Sequence, residues 1–405
     1  MQVIFGIDVS KAKSNVCELV GNGKNEFEIS NDRIGFKQLV KELATFKEHP
    51  QIIFEATGVY SRRLQALLED YGYDYVVINP LKAKKEMDSG LRRNKTDKAD
   101  AYRLAMIQRL YKHPVSQAQS QIYKQLGSMS HFYDQLTSDI VTDKNRSHQS
   151  LQSTFAGIEE LFESAKGENY WKIVKQYYHC NLVVFDDSQS IATWLEGLRG
   201  MASRRAQKTA KKLIELAEKS YPAVDEKSIE AQQVQYYAQR LLDLDKKRGQ
   251  VLSKMIKLAR TLPNNDLKNL ESIPGFAQTT AVRVLAELGD VRRFANPGKI
   301  NAFIGIDPGR YQSGEMDASL RISKRGNAIA RKLLYRAIGQ IASAAKTNPC
   351  HIADYYENKK RSLQTKGFKK IAIASISRLL RTIYALIIND QTYDYDVAKR
   401  NQKRL

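Results

Sequence analysis

Strand and helix patterns at the start of the chain follow an order that few folds accommodate. Three strand patterns are adjacent, with the turn residues of a hairpin in "GNGK" (21–24), and strands and helices then alternate. Strands are predicted at 2–9, 14–20, 26–30, 51–56 and 73–79, and helices at about 32–46, at 60–71 and from about residue 97. This order predicts an α/β domain with a mixed sheet and helices on its faces.

The middle of the chain predicts long helices. Apart from one strand pattern, "CNLVVF" at 180–185, it is rich in Gln, Lys, Glu and Leu. Apolar residues recur in alternating steps of four and three at 122–140 and at 234–262, the second run being interrupted by Arg248. The second run predicts a coiled coil or a long bundle helix, and we expect its seam to pair chains in a homodimer or homotetramer. The first run is shorter and could equally pack in one globular bundle.

The last third combines helices with a strong positive charge. "LESIPGFAQTTAVRVLAELGD" (270–290) predicts a helix, a Pro-Gly turn and a helix, and "SKRGNAIARKLLYRAIGQIASAAK" (323–346) a basic helix, with a Gly/Pro-rich loop between them. Residues 267–405 hold 25 Lys and Arg against 11 Asp and Glu, which is +14 of the chain's formal net charge of +21. Such a field suits a polyanion, although a solvated basic surface is the simpler explanation of the charge alone.

These composition changes predict three domains, at residues 1–114, 115–266 and 267–405. With 405 residues and 42% hydrophobic content, the chain can build several cores. The three cysteines form no disulfide or metal-binding pattern, and neither a signal sequence nor 18 consecutive apolar residues is present. We therefore expect a cytoplasmic protein that does not span a membrane.

Four carboxylates are placed where predicted elements begin or end: Asp8 on the first strand, Glu55 at the end of the fourth, and Asp97 and Asp100 at the head of the following helix. Residues three apart share a helix face, so Asp97 and Asp100 would point the same way. If that face meets the strand ends, the four carboxylates suit Mg²⁺ or Mn²⁺ and phosphoryl transfer. The nearby basic residues could then hold a phosphodiester backbone: Arg92, Arg93, Lys95, Lys98 and Arg103.

Each motif also has a simpler interpretation. Asp97 and Asp100 are good residues for the first turn of a helix, and the "IPGFA" turn (273–277) fits either a phosphate-binding helix-hairpin-helix or a plain helical hairpin. The similarity of "GIDVS" (6–10) to "GIDPG" (305–309) would suggest a duplicated kinase, but the second copy lacks the following hairpin strands.

Several segments together resemble one known family. "FGIDVSKAK", "IIFEATGVYS" and "RRNKTDKADAYRLA" resemble the RuvC-like, ribonuclease-H-fold domain of the DEDD transposases of the insertion sequence one-ten family, relatives of the Piv-type DNA invertases. "ESIPGFAQTTAVRVLAELGD", "FIGIDPGRYQSGEM" and "ISKRGNAIARKLL" resemble that family's transposase domain. The resemblance covers about residues 2–105 and 267–340. It implies a ribonuclease-H-like mixed sheet, a helical coiled-coil middle and a mainly helical C-terminal transposase domain.

The resemblance also implies roles for individual residues. Asp8, Glu55, Asp97 and Asp100 would bind the metal, and Ser313 would form a covalent link to DNA at sites chosen by a structured guide RNA, also called a bridge RNA. Here Gln312 precedes Ser313, where relatives often have a second serine. By itself, a Ser-Gly in a loop more often marks a turn. The basic residues expected to bind nucleic acid in this domain are Arg310, Arg321, Lys324, Arg325, Arg331 and Lys332.

The sequence therefore predicts a magnesium-dependent DNA transposase or recombinase. One alternative is a structure-selective junction endonuclease, which would share the carboxylates but need no serine. Another is a non-catalytic nucleic-acid-binding scaffold whose acidic residues only cap helices.

Overall fold

The computed structural model describes residues 2–47, 49–87, 97–116, 119–163, 167–313, 316–362 and 367–402. The chain forms two compact units, Met1–Ala118 and Gln119–Leu405. Each unit has hydrophobic cores of its own.

The first unit contains the predicted mixed sheet. Its elements are β1 (Val3–Val9), β2 (Lys13–Val20), β3 (Gly23–Ser30), α1 (Arg33–Ala44), β4 (Gln51–Glu55), α2 (Ser61–Asp70), β5 (Tyr75–Ile78), α3 (Pro80–Met87) and α4 (Asp97–Tyr111). The strands lie in the order β3-β2-β1-β4-β5. The first three strands pair antiparallel, and β1–β4 and β4–β5 pair in parallel. The predicted order of strands and helices is confirmed, with one additional helix, α3, that the sequence did not predict.

Alternate side chains of each strand pack on opposite faces of this sheet. Phe5 and Ile7 of β1 join a core that includes residues of α1 and α2. Ile4 of β1 and Ile53 of β4 join a second core with Ala101, Leu104 and Ala105 of α4. Because successive strand side chains point to opposite faces, alternate residues of β1 and β4 face α4, and the residues between them face α1 and α2.

Helix α1 begins as the sequence predicts. The Asp32 carboxylate accepts hydrogen bonds from the backbone N–H groups of Ile34 and Gly35, at 2.9 and 3.0 Å. The bond from Gly35 contributes most to lowering the pKa of Asp32. Asp32 is therefore the N-cap of α1.

The second unit is mainly helical, as predicted. Its elements are α5 (Gln121–Thr154), α6 (Glu168–Gln176), α7 (Cys180–Val184), α8 (Ser188–Glu196), α9 (Ser203–Lys219), α10 (Ile229–Ala259), α11 (Asp266–Glu271), α12 (Gln278–Leu288), α13 (Pro297–Ile304), β6 (Pro308–Ser313), β7 (Met316–Ile322), α14 (Ala328–Ala344), α15 (His351–Arg361), α16 (Phe368–Ile388) and α17 (Tyr395–Gln402). Short 3-10 helices lie at Ala156–Glu160 and Val291–Arg293.

Two local predictions in this unit are wrong. The "CNLVVF" segment forms α7 rather than a strand, and the His179 side chain caps that helix by accepting a hydrogen bond from the backbone N–H of Asn181. A short apolar run fits a strand or a buried helix equally well, and here the helix cap decides. The segment predicted as a Gly/Pro-rich loop contains α13 and an antiparallel hairpin of β6 and β7.

The predicted coiled-coil seam packs inside the chain. Helices α5 and α10 run antiparallel, as shown by hydrogen bonds from Arg240 to Asp143 and from Ser150 to Gln233. The polar interruption, Arg248, lies over the ring of Tyr133 on α5, with 5.9 Å between the guanidinium carbon and the ring centroid. The partner helix of the seam is therefore α5 of the same chain, and the repeat does not require a second chain.

Helices α5 and α10 connect two cores of the second unit. Leu136 and Met255 belong to one core, which extends to α16, and Ile140 and Leu241 belong to the other, which includes α6 to α9. The long helices thus join the middle of the chain to its basic last third.

Among the described residues, α16 is long and apolar enough to cross a membrane by length and composition. Half of the apolar stretch of this helix is buried, and Leu379, Leu380 and Ile383 lie in the core with 0% exposure. Burial of this kind is what a core helix of a soluble protein shows.

Candidate active site

Two of the four predicted carboxylates lie level with each other at the ends of adjacent parallel strands. The register pairs Ile7 of β1 with Phe54 of β4, and the next residues along are Asp8 and Glu55. Both side chains are half-buried and both take part in interactions within the protein. By the alternation along each strand, they belong to the face that Ile4 and Ile53 share with α4.

Helix α4 lies directly on this face because β1 has a glycine where the helix crosses it. A Cβ atom on Gly6 would come within 2.2 Å of the Ala101 carbonyl oxygen and 2.5 Å of the Ala105 backbone nitrogen. Ala101 follows Asp100, and Gly6 precedes Asp8 by two positions on the same face. Gln108, near the other end of α4, donates a hydrogen bond to Gln51 at the start of β4, so the first turn of α4 lies toward the end of the sheet that carries Asp8.

The other two carboxylates belong to this first turn. Asp97 is the first residue of α4, and its side chain lies outside the described part of the structure. Asp100 is half-buried and accepts a 3.0 Å hydrogen bond from the Arg103 guanidinium. Among the described side chains, no group of three or more His, Cys, Asp and Glu residues is close enough to hold a metal ion.

The donor chemistry of this site suits a hard divalent cation. Asp8, Glu55, Asp97 and Asp100 offer only carboxylate oxygens, which favour magnesium or manganese over zinc. In addition, Thr57, two residues after Glu55, has a buried hydroxyl with no hydrogen-bond partner among the described residues. An unsatisfied buried hydroxyl beside the strand ends is consistent with a polar ligand there.

The turn after Asp8 is held by residues that sequence reasoning did not select. Arg63 of α2 donates hydrogen bonds to the carbonyl oxygens of Asn31 and Lys11, at 2.9 and 3.0 Å. Asn31 donates to the Ser10 carbonyl and accepts from the Ser14 hydroxyl, at 2.7 and 2.6 Å. These contacts fix the end of β1. No local motif marks Arg63, because its partners are distant in the sequence.

The basic residues predicted around the carboxylates are only partly described. Arg92, Arg93 and Lys95 lie outside the described residues, as does the Lys98 side chain. Arg103 is the described member, and its guanidinium is paired with Asp100. Of the residues predicted for this site, Asp100 and Arg103 therefore pair with each other within α4.

Ser313 is the last residue of β6 in the hairpin. It pairs with Met316 of β7, and its side chain lies outside the described part of the structure. The base of the hairpin is fixed, because the Ser323 hydroxyl donates to Asp307 at 2.7 Å and the Lys324 N–H donates to the Gly305 carbonyl at 3.0 Å. Ser313 therefore lies at the far end of a hairpin whose base is anchored.

The predicted nucleic-acid-binding residues of this region differ in their surroundings. Arg321, Lys324 and Arg325 are exposed, and the Arg310 side chain is not described. Arg331 donates to the Ile304 carbonyl at 2.6 Å, and Lys332 contacts Asp134 at 3.0 Å. Arg331 and Lys332 thus have structural partners within the second unit.

The "IPGFA" turn packs against the protein. Gly275 has a φ of +84°, and a Cβ atom there would lie 2.7 Å from backbone atoms of Gln340 and Ile341 in α14. Its glycine therefore serves helix packing, which favours the plain helical hairpin.

The cysteine thiols are poor candidates for a nucleophile. All three are free and buried. Burial raises the pKa of Cys17, in the core beneath α4, to about 11. Burial also raises the pKa values of Cys180 and Cys350. A protonated, buried thiol is unreactive.

A mixed five-stranded sheet in the order 3-2-1-4-5, with acidic residues at the ends of its central parallel strands, defines a ribonuclease-H-like domain of the DEDD type. Residues 5–156 match the family model for the DEDD domain of IS110 elements, described as "Transposase". Residues 267–357 match the model described as "Transposase IS116/IS110/IS902 family". The chain belongs to this family of transposases, which are enzymes.

Two curated relatives support the assignment. The chain is 29% identical over 157 residues to the "Transposase for insertion sequence element IS1111A" of Coxiella burnetii, an alignment covering 38% of the chain and 41% of the relative. It is 23% identical over 365 residues to the "Insertion element IS116 uncharacterized 44.8 kDa protein" of Streptomyces clavuligerus, covering 89% of the chain and 88% of the relative.

Proposed function

We propose that this protein cleaves and exchanges DNA strands at the ends and target sites of an insertion sequence, in a reaction that depends on a divalent cation. The observation that supports this most directly is the register of β1 and β4, which puts Asp8 level with Glu55 on the face covered by α4. Carboxylates on neighbouring parallel strands and on the covering helix are the donor set that phosphoryl transfer needs.

In this proposal, Asp8, Glu55, Asp97 and Asp100 hold Mg²⁺ or Mn²⁺. A bound divalent cation would supply positive charge to the oxygens that become negative when a phosphodiester is cleaved. Gly6 positions the helix that carries two of the carboxylates, and Arg63 holds the turn that follows Asp8. Gly6 and Arg63 act as positioning residues.

We further propose that Ser313 is the nucleophile. Its hydroxyl oxygen forms a bond to a DNA phosphorus while the bond from that phosphorus to one neighbouring nucleotide oxygen breaks. The hydroxyl proton leaves the serine, and the departing DNA oxygen takes up a proton. The serine phosphodiester conserves the bond energy, so a DNA hydroxyl from another strand can displace the serine and complete the exchange.

The proposed partners are donor DNA, target DNA and a structured guide RNA, with the protein acting as a homodimer or homotetramer. The protein can be purified with its bound nucleic acids and these can be sequenced, which tests the DNA and RNA partners. Measuring the mass of the complex by light scattering tests the oligomeric state. Recovery of DNA without a recurrent RNA would contradict the guide, and a monomeric mass with bound DNA would contradict the oligomer.

The carboxylates are tested by single substitutions. Asp8→Asn, Glu55→Gln, Asp97→Asn and Asp100→Asn should each reduce magnesium-dependent cleavage of element-end DNA at least about a hundredfold, because each removes a charged cation ligand. Glu28→Gln is the control, since Glu28 lies on β3 and forms an exposed ion pair with Lys13 at 2.7 Å. Near-normal cleavage by Asp8→Asn would contradict the proposal.

The serine is tested by trapping. Ser313→Ala should abolish the covalent protein–DNA product seen on a denaturing gel, because the methyl group cannot attack phosphorus. Ser319→Ala, in the opposite strand of the same hairpin, should leave the product unchanged. Two results together would favour the junction endonuclease over the recombinase: Ser313→Ala cleaves DNA at the normal rate, and the parent protein forms no covalent product.

A further inference from the structure

Helix α9 carries an unusual concentration of positive charge. Its first ten residues, 203–212, contain five basic residues and no acidic residue. Arg204, Lys208 and Lys211 follow one another at intervals of four and three, so they share one face of the helix. All three are exposed. Helix α9 belongs to the part of the chain, residues 157–266, that lies between the two segments matched by the family models.

The opposite face of α9 fixes the orientation of this stripe. Ala206, Ala210 and Leu213 are fully buried in the core formed by α6 to α10. Because the buried residues occupy the other side of the helix, the stripe of Arg204, Lys208 and Lys211 points away from the core. Arg205 and Lys212 flank it.

No carboxylate balances these charges within the part of the chain that the structure describes. Arg204, Lys208, Lys211 and Lys212 form no ion pair there, although Glu215 follows one turn later on the same helix. Arg205 instead donates a 3.5 Å hydrogen bond to the Gly200 carbonyl. Ordinary solvated helices alternate the signs of their charges, and α9 does so only in its second half.

Helix stability does not explain the stripe. Arg204 and Arg205 lie in the first turn of α9, where the positive end of the helix dipole repels them. Like charges three and four residues apart also repel each other, as Lys208 does with both Lys211 and Lys212. The sequence therefore keeps these cations close together although their mutual repulsion destabilises the helix, which calls for a partner outside the chain.

We propose that the exposed face of α9 binds the phosphate backbone of double-stranded DNA, through residues other than the proposed cation ligands. Arg204 and Lys211 are seven residues apart, which is about 10 Å along a helix and close to the rise of three base pairs. The helix has no aromatic residue on which unpaired bases could stack, which favours a duplex over a single strand. The choice of DNA rests on the proposed function.

The test compares two triple variants of the full chain that lose the same charge. Arg204→Gln/Lys208→Gln/Lys211→Gln removes the stripe. Lys219→Gln/Lys254→Gln/Lys257→Gln removes three exposed charges near the C-terminal ends of α9 and α10. Binding to a 30-base-pair duplex of unrelated sequence is measured over a range of salt concentrations in EDTA, so that no cleavage occurs. A hairpin RNA of similar length is the second ligand.

The stripe variant should bind the duplex on the order of tenfold more weakly at moderate salt, and its slope of log affinity against log salt should fall by about 2.7, or about 0.9 for each lost phosphate contact. It should also melt at a higher temperature than the parent protein, because repulsion is relieved. The control should keep most of its affinity and should not gain thermal stability, because cations near helix C-termini are favourable.

Three outcomes would overturn the inference: unchanged DNA binding by the stripe variant, an equal loss in the control, or a loss confined to the RNA. Binding in EDTA requires neither cleavage nor a bound cation. A failure of the cleavage proposal would therefore leave this binding measurement unaffected, and the two failures can be told apart.

Discussion

Gly6 is the residue on which the proposed active site depends most strongly without contributing any functional group. The helix backbone occupies the space in which any other residue would place its Cβ atom. Glycine in the middle of a strand normally weakens it, but here it permits close contact between β1 and α4. The same contact brings the acidic first turn of α4 toward Asp8.

Replacing Gly6 with alanine should therefore affect both stability and cleavage. The new methyl group would force α4 away from the sheet, which should cost about 1–3 kcal/mol or more of the free energy of unfolding and reduce cleavage sharply. Chemical denaturation and a cleavage assay measure the two effects. Gly249→Ala is the matched control, because nothing lies within 4 Å of its new Cβ atom and alanine favours a helix. Unaltered stability of Gly6→Ala would contradict the packing argument.

At the scale of elements, periodicity predicts the helix surface that is buried but cannot say what covers it. The run at 234–262 correctly marks the buried side of α10, including Leu241 and Met255. The covering helix is α5, which lies some 90 residues earlier in the chain. The spacing of apolar residues contains no information about the partner helix. A seam between two chains and a seam within one chain therefore give the same pattern in the sequence.

Leu241 provides a test that separates these two arrangements. It has 2% exposure in the core between α10 and its neighbours, so Leu241→Ala should lower the free energy of unfolding by about 2–5 kcal/mol. Light scattering should give the same mass as the parent protein at concentrations where both are folded. A folded variant of lower mass would instead place Leu241 in an interface between chains.

The first unit was predictable because its signals agree with one another. Alternating strands, the GNGK turn and the helix pattern at about 32–46 all favour the same order of elements, which the sheet confirms. The hairpin around Ser313 was missed because Pro308, Gly309 and Gly314 are typical of a loop, while contacts such as Ser323 with Asp307 fix it from outside. For the same reason Arg63 was missed, since its hydrogen bonds cross to other elements.

At the scale of the whole molecule, the two units should unfold separately. Among the residues that the structure describes, each unit builds its hydrophobic cores from its own residues, and α5 and α10 run through both cores of the second unit. Calorimetry should therefore show two transitions. Gly6→Ala should lower the transition of the first unit alone, and Leu241→Ala that of the second alone. A single transition lowered by both substitutions would show that the units unfold together.

The pairing of β1 with β4 also limits how the length of this chain can change in evolution. A strand reverses the direction of its side chains at every residue, so deleting one residue between Ile4 and Ile7 would turn Asp8 toward α1 and α2. The same deletion in the connection before β4 would leave the facing of Asp8 and Glu55 intact. Homologues should therefore gain and lose residues in their connections and keep the strand lengths before both carboxylates constant.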